Sequence, residues 1–202
     1  MGDNMNLKDI TYVVFDLETT GLNPLEGEEI IEIGAVKVKN NQVIDRFDEL
    51  IKPSKPIPEK ISLITNITNE MVQDKDSELN VLNRFLNWLD EDNILVAHNA
   101  NFDLSFVKMA FTKYNLGIFN YTVIDTLGVS RYLTPAEKYH NLTVLMQRYD
   151  VTWDENKHHR ADYDSEGTAL VLDKLIDQLK TKNINTLEEL YLIPRIIVNR
   201  KK

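Results

Sequence analysis

Asp16 and Glu18 lie two positions apart at the end of a short apolar run, at 12–15. Such a run is typical of a strand buried on both faces, and residues two apart on an extended backbone share a face. Two carboxylates side by side repel each other unless a cation lies between them, and oxygen ligands favour Mg²⁺ or Mn²⁺ over zinc. Taken alone, the pair could also be a solvated acidic turn.

Two further acids occupy stripes of apolar residues that recur at helical spacing. Asp103 shares its stripe with Val107, Ala110 and Tyr114, so a helix that buries those side chains turns Asp103 inward. Asp164 lies on a similar stripe, which consists of Ala161, Thr168, Val171, Leu172, Leu175 and Leu179. Either acid alone could be a first-turn residue favoured by the helix dipole. Asp162 falls on the other side of its helix and is predicted to be a solvated surface acid.

Four inward-facing carboxylates are most simply explained by a pair of divalent cations. Two cations about 3.5–4 Å apart stabilise the attacking and leaving oxygens of a phosphoryl displacement. A water is then the nucleophile, and His159 is the candidate for the base that takes its proton. The alternative is that His158 and His159 belong to an ordinary polar loop.

The elements that must position these residues form an alternating pattern. Strands are predicted at 12–15, 30–38, 43–51, 93–97 and 121–124, and helices at 59–63, 77–90, 126–132, 142–149 and 160–180, with another beginning near residue 103. This order predicts an α/β fold with a mixed five-stranded sheet and helices on both faces. Residues 1–10 are predicted to be an N-terminal extension, 11–180 the domain, and 181–202 a tail or boundary segment.

Composition limits the possible functions of the 202 residues. The chain is 43% hydrophobic and 27% charged, contains no cysteine, and carries a net charge of −9. It shows no signal peptide pattern and no apolar run long enough for a membrane span, so we expect a cytoplasmic protein without a membrane partner. The negative charge argues against a broad basic surface for nucleic acid, although it is compatible with an enzyme whose cations contact phosphates.

Three segments together resemble the motifs of the DnaQ-like, DEDDh-type 3′→5′ exonucleases, which have an RNase H-like fold. They are the sequences FDLETTG at 15–21, HNANFD at 98–103 and HRADYD at 159–164. Within this family the chain looks most like the proofreading domain of the PolC-type DNA polymerase III alpha chain, partly because of its doubled histidine. One departure is Asn66, where relatives usually carry a glycine before the Ile-Thr pair.

The resemblance implies a role for individual residues. It assigns Asp16, Glu18, Asp103 and Asp164 as ligands of two divalent ions, Mg²⁺ or Mn²⁺. It assigns His159 as the base, because the histidine class places this residue five positions before the last acid. The cleft for the terminal nucleotide is expected to include Leu22, His98, Asn99 and Phe102.

The expected function is therefore metal-dependent removal of nucleoside monophosphates from single-stranded or frayed DNA 3′ ends. The expected partner is the polymerase that the domain serves or belongs to. Three alternatives stay open at the level of sequence: an exoribonuclease or oligoribonuclease of the same fold, a stand-alone DnaQ-like repair nuclease, and a catalytically silent interaction domain.

Overall fold

The computed structural model describes residues 4–151 and 160–201, which form a mixed sheet between two layers of helices. The strands are β1 (Tyr12–Thr19), β2 (Ile30–Lys39), β3 (Gln42–Leu50), β4 (Ile94–Ala97), β5 (Thr122–Asp125) and β6 (Ile197–Asn199), in the order β3-β2-β1-β4-β5-β6. β1 pairs antiparallel with β2 and parallel with β4, and β4 is parallel to β5. The predicted α/β fold with a mixed sheet is confirmed.

The predicted strand number is wrong by one. β6 is only three residues long and pairs antiparallel with β5 at the edge of the sheet. So short a segment shows no period of its own, and it becomes a strand because the edge of β5 offers unpaired backbone groups.

The helices in the described ranges are α1 (Glu59–Thr65), α2 (Asn69–Val72), α3 (Glu78–Trp88), α4 (Asn101–Lys113), α5 (Thr126–Leu133), α6 (Leu142–Arg148), α7 (Ala161–Thr181) and α8 (Leu187–Tyr191). None of the helices in these ranges is long and apolar enough to cross a membrane. Ser77 caps α3 by accepting a hydrogen bond from the Asn80 amide. Asn66 follows α1 with φ of 58°, a left-handed conformation that asparagine tolerates and glycine adopts freely.

The alternation along β1 divides the core between the two faces of the sheet. Val13, Phe15 and Leu17 face α3 and α4, whereas Tyr12 and Val14 face the layer formed by α5 to α8. Asp16 and Glu18 continue the second series, so their side chains lie on the face that α7 covers.

The segments that flank the predicted domain pack against the same core. Leu7 is fully buried, and its amide donates to the Asn185 carbonyl at 2.8 Å. The Leu187 amide in turn donates to the Met5 carbonyl at 3.0 Å. Domain boundaries at residues 10 and 180 stay a prediction, and the described flanks are part of one folded unit.

Candidate active site

Three carboxylates meet where the end of β1 lies beneath the start of α7. One oxygen from each of Asp16, Glu18 and Asp164 lies within 4.8 Å of the others. Asp16 and Glu18 come from one face of β1, which is the arrangement that their spacing predicts. Since all donors are carboxylate oxygens, the group fits a hard divalent cation such as Mg²⁺ or Mn²⁺.

Asp164 reaches this position because α7 buries an apolar stripe. Val171, Leu172 and Leu175 on the same helix are buried in the core, and Asp164 itself is 7% exposed in the first turn. Asp162, two residues earlier, is partly exposed. The apolar stripe therefore turns Asp164 towards the sheet, whereas Asp162 lies at the edge of the buried face of the helix.

Asp103 approaches β1 from the opposite side, in the first turn of α4. It is 2% exposed, and the Leu17 amide lies near enough to oppose part of the rise that burial causes in the pKa of its carboxylate. This amide is accessible because β4 pairs with β1 only along Tyr12–Val14 and leaves the edge beyond Val14 unpaired. Asp103 therefore lies next to the part of β1 that carries the other acids.

The electrostatics of the cluster favour a bound cation. Burial, followed by the charges of Asp103 and Glu18, raises the pKa of Asp16 well above its ordinary value. Burial and the charge of Asp164 raise the pKa of Glu18 to about 8, and burial raises the pKa of Asp103 to about 8. Four ionised carboxylates are thus unfavourable together, and a divalent cation among their oxygens would offset the repulsion.

The hydroxyl groups of the first motif explain the turn that follows β1. The Thr19 hydroxyl donates to the Gly21 carbonyl at 2.6 Å, and the Thr20 hydroxyl donates to Glu28 at 2.7 Å. A Cβ on Gly21 would lie 2.4 Å from the Glu28 carboxyl carbon, so a larger residue here would displace the Glu28 side chain that Thr20 holds. The turn presents Leu22 with 83% of its surface exposed.

The other residues expected in the cleft differ in their surroundings. Asn99 is exposed with φ of 62°, and Phe102 is half-buried with its ring 5.2 Å from that of Phe106. The His98 ring is held by Thr126, whose hydroxyl lies 2.9 Å from Nδ1. Substrate binding by these residues and by Leu22 stays a prediction.

Both candidates for the base fall in residues 152–159, outside the described residues. Their neighbour Arg160 is described and precedes α7 as its N-cap residue. The choice between His158 and His159 stays a prediction.

Two acids near the site, Asp125 and Glu32, were missed by sequence reasoning. Asp125, at the end of β5, accepts hydrogen bonds from the Asn99, Ala100 and Leu127 amides. Glu32, in β2, is fully buried and accepts hydrogen bonds from the Arg160 guanidinium. Each acid had a signal, since Asp125 ends a short strand before a helix and Glu32 interrupts the apolar run at 30–36.

Comparison with known proteins agrees with this geometry. The family model described as an exonuclease, of RNase T type, matches residues 13–172, which is more than half of the chain. With this fold and this group of acids, the chain belongs to the exonuclease family. Over 91% of its length, the chain is 41% identical to the PolC-type DNA polymerase III of Bacillus subtilis. Over 93% of its length, it is also 41% identical to the PolC-type DNA polymerase III of Mycoplasma genitalium. The chain spans only 13% of the length of each of these relatives.

Solved structures extend the comparison to the fold. A structure described as exonuclease X in complex with 5′ overhanging duplex DNA is 28% identical, with a TM-score of 0.66 over 85% of this chain and 93% of that one. The nuclease domain of 3′hExo, described as a DEDDh family member bound to rAMP, has a TM-score of 0.75 over 98% of this chain and 100% of that one. At 18% identity, the second likeness supports the RNase H-like exonuclease fold alone.

Proposed function

We propose that this chain is a metal-dependent 3′→5′ exonuclease that releases nucleoside monophosphates from DNA 3′ ends. The observation that carries the proposal is the convergence of Asp16, Glu18 and Asp164 within 4.8 Å, with the buried Asp103 close enough for its charge to raise the pKa of Asp16. Acids from β1 and α7 meet at one point in the fold, with the acid of α4 buried beside them. A solvated acidic surface needs no such arrangement.

Each part of the site has a defined task in this reaction. Asp16, Glu18, Asp103 and Asp164 bind two divalent cations, Mg²⁺ or Mn²⁺, which when bound stabilise charge on the attacking and leaving oxygens of the phosphodiester. His159 accepts the proton of the attacking water as a general base. Leu22 and Phe102 contact the terminal nucleotide. Because α4 lies beside β1, Phe102 at the start of α4 is held close to the acids.

The proposed context is proofreading during replication, in association with a DNA polymerase in the cytoplasm. The similarity to PolC-type DNA polymerase III supports this context. A solved relative at 28% identity is described with DNA bound. A single-stranded or frayed 3′ end fits this role, because a mispaired terminus unpairs more easily than a paired one.

The test is hydrolysis of matched 5′-labelled DNA and RNA oligonucleotides in the presence of Mg²⁺ or Mn²⁺. We expect a ladder that shortens from the DNA 3′ end, with mispaired termini removed faster than paired ones. Asp164→Asn is the control for a contaminating nuclease and should show no ladder. Faster loss of RNA than DNA would favour an exoribonuclease, and no hydrolysis of either would favour a silent interaction domain.

A further inference from the structure

A fifth carboxylate lies beside the acidic cluster and has partners of its own. Glu32 is 0% exposed, and its Oε1 accepts a hydrogen bond from Arg160 Nε at 2.9 Å. Its Oε2 accepts from the Ala161 amide, also at 2.9 Å. Because both oxygens are engaged, Glu32 is held to the start of α7 and is poorly placed to bind a cation.

Glu32 is also the cross-strand neighbour of Glu18. The two residues are paired in the register of β1 and β2, and the charge of Glu32 is one of the causes that raise the pKa of Glu18. A fifth negative charge next to four others is unfavourable unless it is compensated. The Arg160 guanidinium supplies that compensation and at the same time ties β2 to α7.

The backbone of β2 and the start of α7 approach each other closely at a second point. A Cβ on Gly34 would lie 2.1 Å from the Ala161 carbonyl carbon, so only glycine allows this approach. Asp164 follows Ala161 by three residues and therefore lies on the same side of the helix, one turn further on. Fixing Ala161 against β2 consequently fixes Asp164 above Glu18 and Asp16.

We propose that Glu32 and Arg160 are positioning residues, which hold Asp164 against the acids of β1 and so set the affinity of the site for divalent cations. This inference rests on the proposed function, because it assumes that the acids bind metal. Mutual repulsion would otherwise move the first turn of α7 away from β1 before a cation arrives. The Glu32–Arg160 pair opposes that movement and keeps the ligands in place.

The proposal can be separated from a simple effect of charge. Removing the Glu32 charge makes the site less negative, and removing the Arg160 charge makes it more negative. A purely electrostatic effect would therefore weaken metal binding in Glu32→Gln and strengthen it in Arg160→Gln. Positioning predicts that both variants bind metal more weakly, because both lose the tie to α7.

The experiment is calorimetric titration of the full chain with Mn²⁺ alone, without nucleic acid. We expect the dissociation constant to rise about 10-fold or more in Glu32→Gln and in Arg160→Gln, the size of effect that follows loss of residues behind metal ligands. Arg160→Lys keeps the charge but loses the forked geometry, so it should also bind Mn²⁺ more weakly. Circular dichroism establishes whether each variant is folded. If Glu32→Gln or Arg160→Gln does not fold, the Mn²⁺ affinity of Arg160→Lys decides whether Arg160 has a positioning role.

Arg46→Gln is the matched control. Arg46 forms a bidentate ion pair with Glu166, with both hydrogen bonds at 3.0 Å. This pair also joins the sheet to α7, but it lies on the exposed surface. This variant changes the net charge as Arg160→Gln does and should bind Mn²⁺ as the unmodified protein does. Tighter binding by Arg160→Gln, or unchanged binding by Arg160→Lys, would overturn the positioning role alone. If the unmodified protein binds no Mn²⁺, the proposed function fails as well.

Discussion

The choice of the general base depends on one position in the sequence. His159 precedes Asp164 by five residues and leads directly into α7 through Arg160. Neighbouring side chains on an extended backbone point apart, so we predict that only one of the two histidines faces the acids. A positioned base is typically worth about 10²–10⁴ in rate, and His159→Ala should lose activity on that scale while it still binds metal and DNA.

His158→Ala is the matched control for this prediction and should lose little activity. Single-turnover rates at saturating metal, with DNA binding measured separately, distinguish loss of chemistry from loss of affinity. If His158→Ala loses most of its single-turnover rate and His159→Ala keeps nearly all of it, the base is His158.

His98 should make the stability of the protein depend on pH. Burial lowers the pKa of its ring to about 4, below the ordinary value of 6.5. Between these values the unfolded chain binds a proton that the folded protein does not. The free energy of unfolding therefore falls as the pH drops from about 6.5 to 4, by up to about 1.4 kcal/mol per pH unit.

His98→Gln keeps a hydrogen-bonding side chain without a titratable ring. Urea unfolding at several pH values should show that the stability of this variant falls less steeply with acid than that of the unmodified protein. Subtracting the free energy of unfolding of one protein from that of the other at each pH removes the contribution of titrating groups that the substitution does not perturb. Parallel curves for the two proteins would mean that His98 is not a neutral, buried histidine.

Single residues also show how far sequence reasoning reaches. The stripe around Asp164 could be read because side chains that are buried together recur every three or four positions. Glu32 could not be assigned a partner in the same way. Arg160 is 128 residues away, and their contact depends on how α7 crosses β2. Pairs that only tertiary packing creates leave no periodic signal.

At the scale of elements, the connection between β4 and α4 is held by Asp125. One of its oxygens accepts from the Asn99 amide at 2.9 Å, the Leu127 amide at 3.0 Å and the Ala100 amide at 3.3 Å. Asp125→Ala leaves these amides without their partner and should destabilise the fold by about 1–3 kcal/mol. Activity should also fall, because Asp103 follows this connection directly. Asp125→Asn, which keeps an acceptor, should recover part of both losses.

Asn141 offers a control of the same kind away from the acids. It caps α6 by accepting from the Val144 amide at 2.9 Å, and Asn141→Ala should lose about 1 kcal/mol of stability without loss of exonuclease rate. Urea unfolding and initial rates compare the two sites. If Asp125→Ala loses stability but keeps full activity, the connection does not position Asp103.

The limits of prediction for elements have a physical cause. The start of helix α3 agrees with the predicted range 77–90, because the Ser77 cap is a local hydrogen bond that the sequence itself encodes. α8 and β6 are only five and three residues long; α8 has a local capping box formed by Thr186 and Glu189, whereas β6 is fixed by pairing with the distant β5. Ile184, Leu187 and Ile196 join the same core as β1, which no local pattern between residues 181 and 202 reveals.

At the scale of the whole molecule, the sheet brings the acids together from distant positions in the chain. β1 lies at the centre of the sheet, and both layers of helices meet at its end through Asp103 and Asp164. The acidic cluster lies in a chain whose net charge is already −9. The fold must therefore hold together a group of like charges, and folding and metal binding should be thermodynamically linked.

This linkage predicts that Mg²⁺ or Mn²⁺ raises the melting temperature of the protein and that EDTA abolishes both the rise and the activity. A cation that binds only the folded state stabilises it by RT ln(1 + [L]/Kd), about 2.7 kcal/mol at a concentration 100 times Kd. Added NaCl at equal ionic strength is the control for general screening of surface charge. Asp16→Ala should lose most of the metal-induced rise, while its melting temperature without metal should hold or increase because one repelling charge is gone. Undiminished turnover after exhaustive chelation would exclude a metal-dependent reaction at these acids.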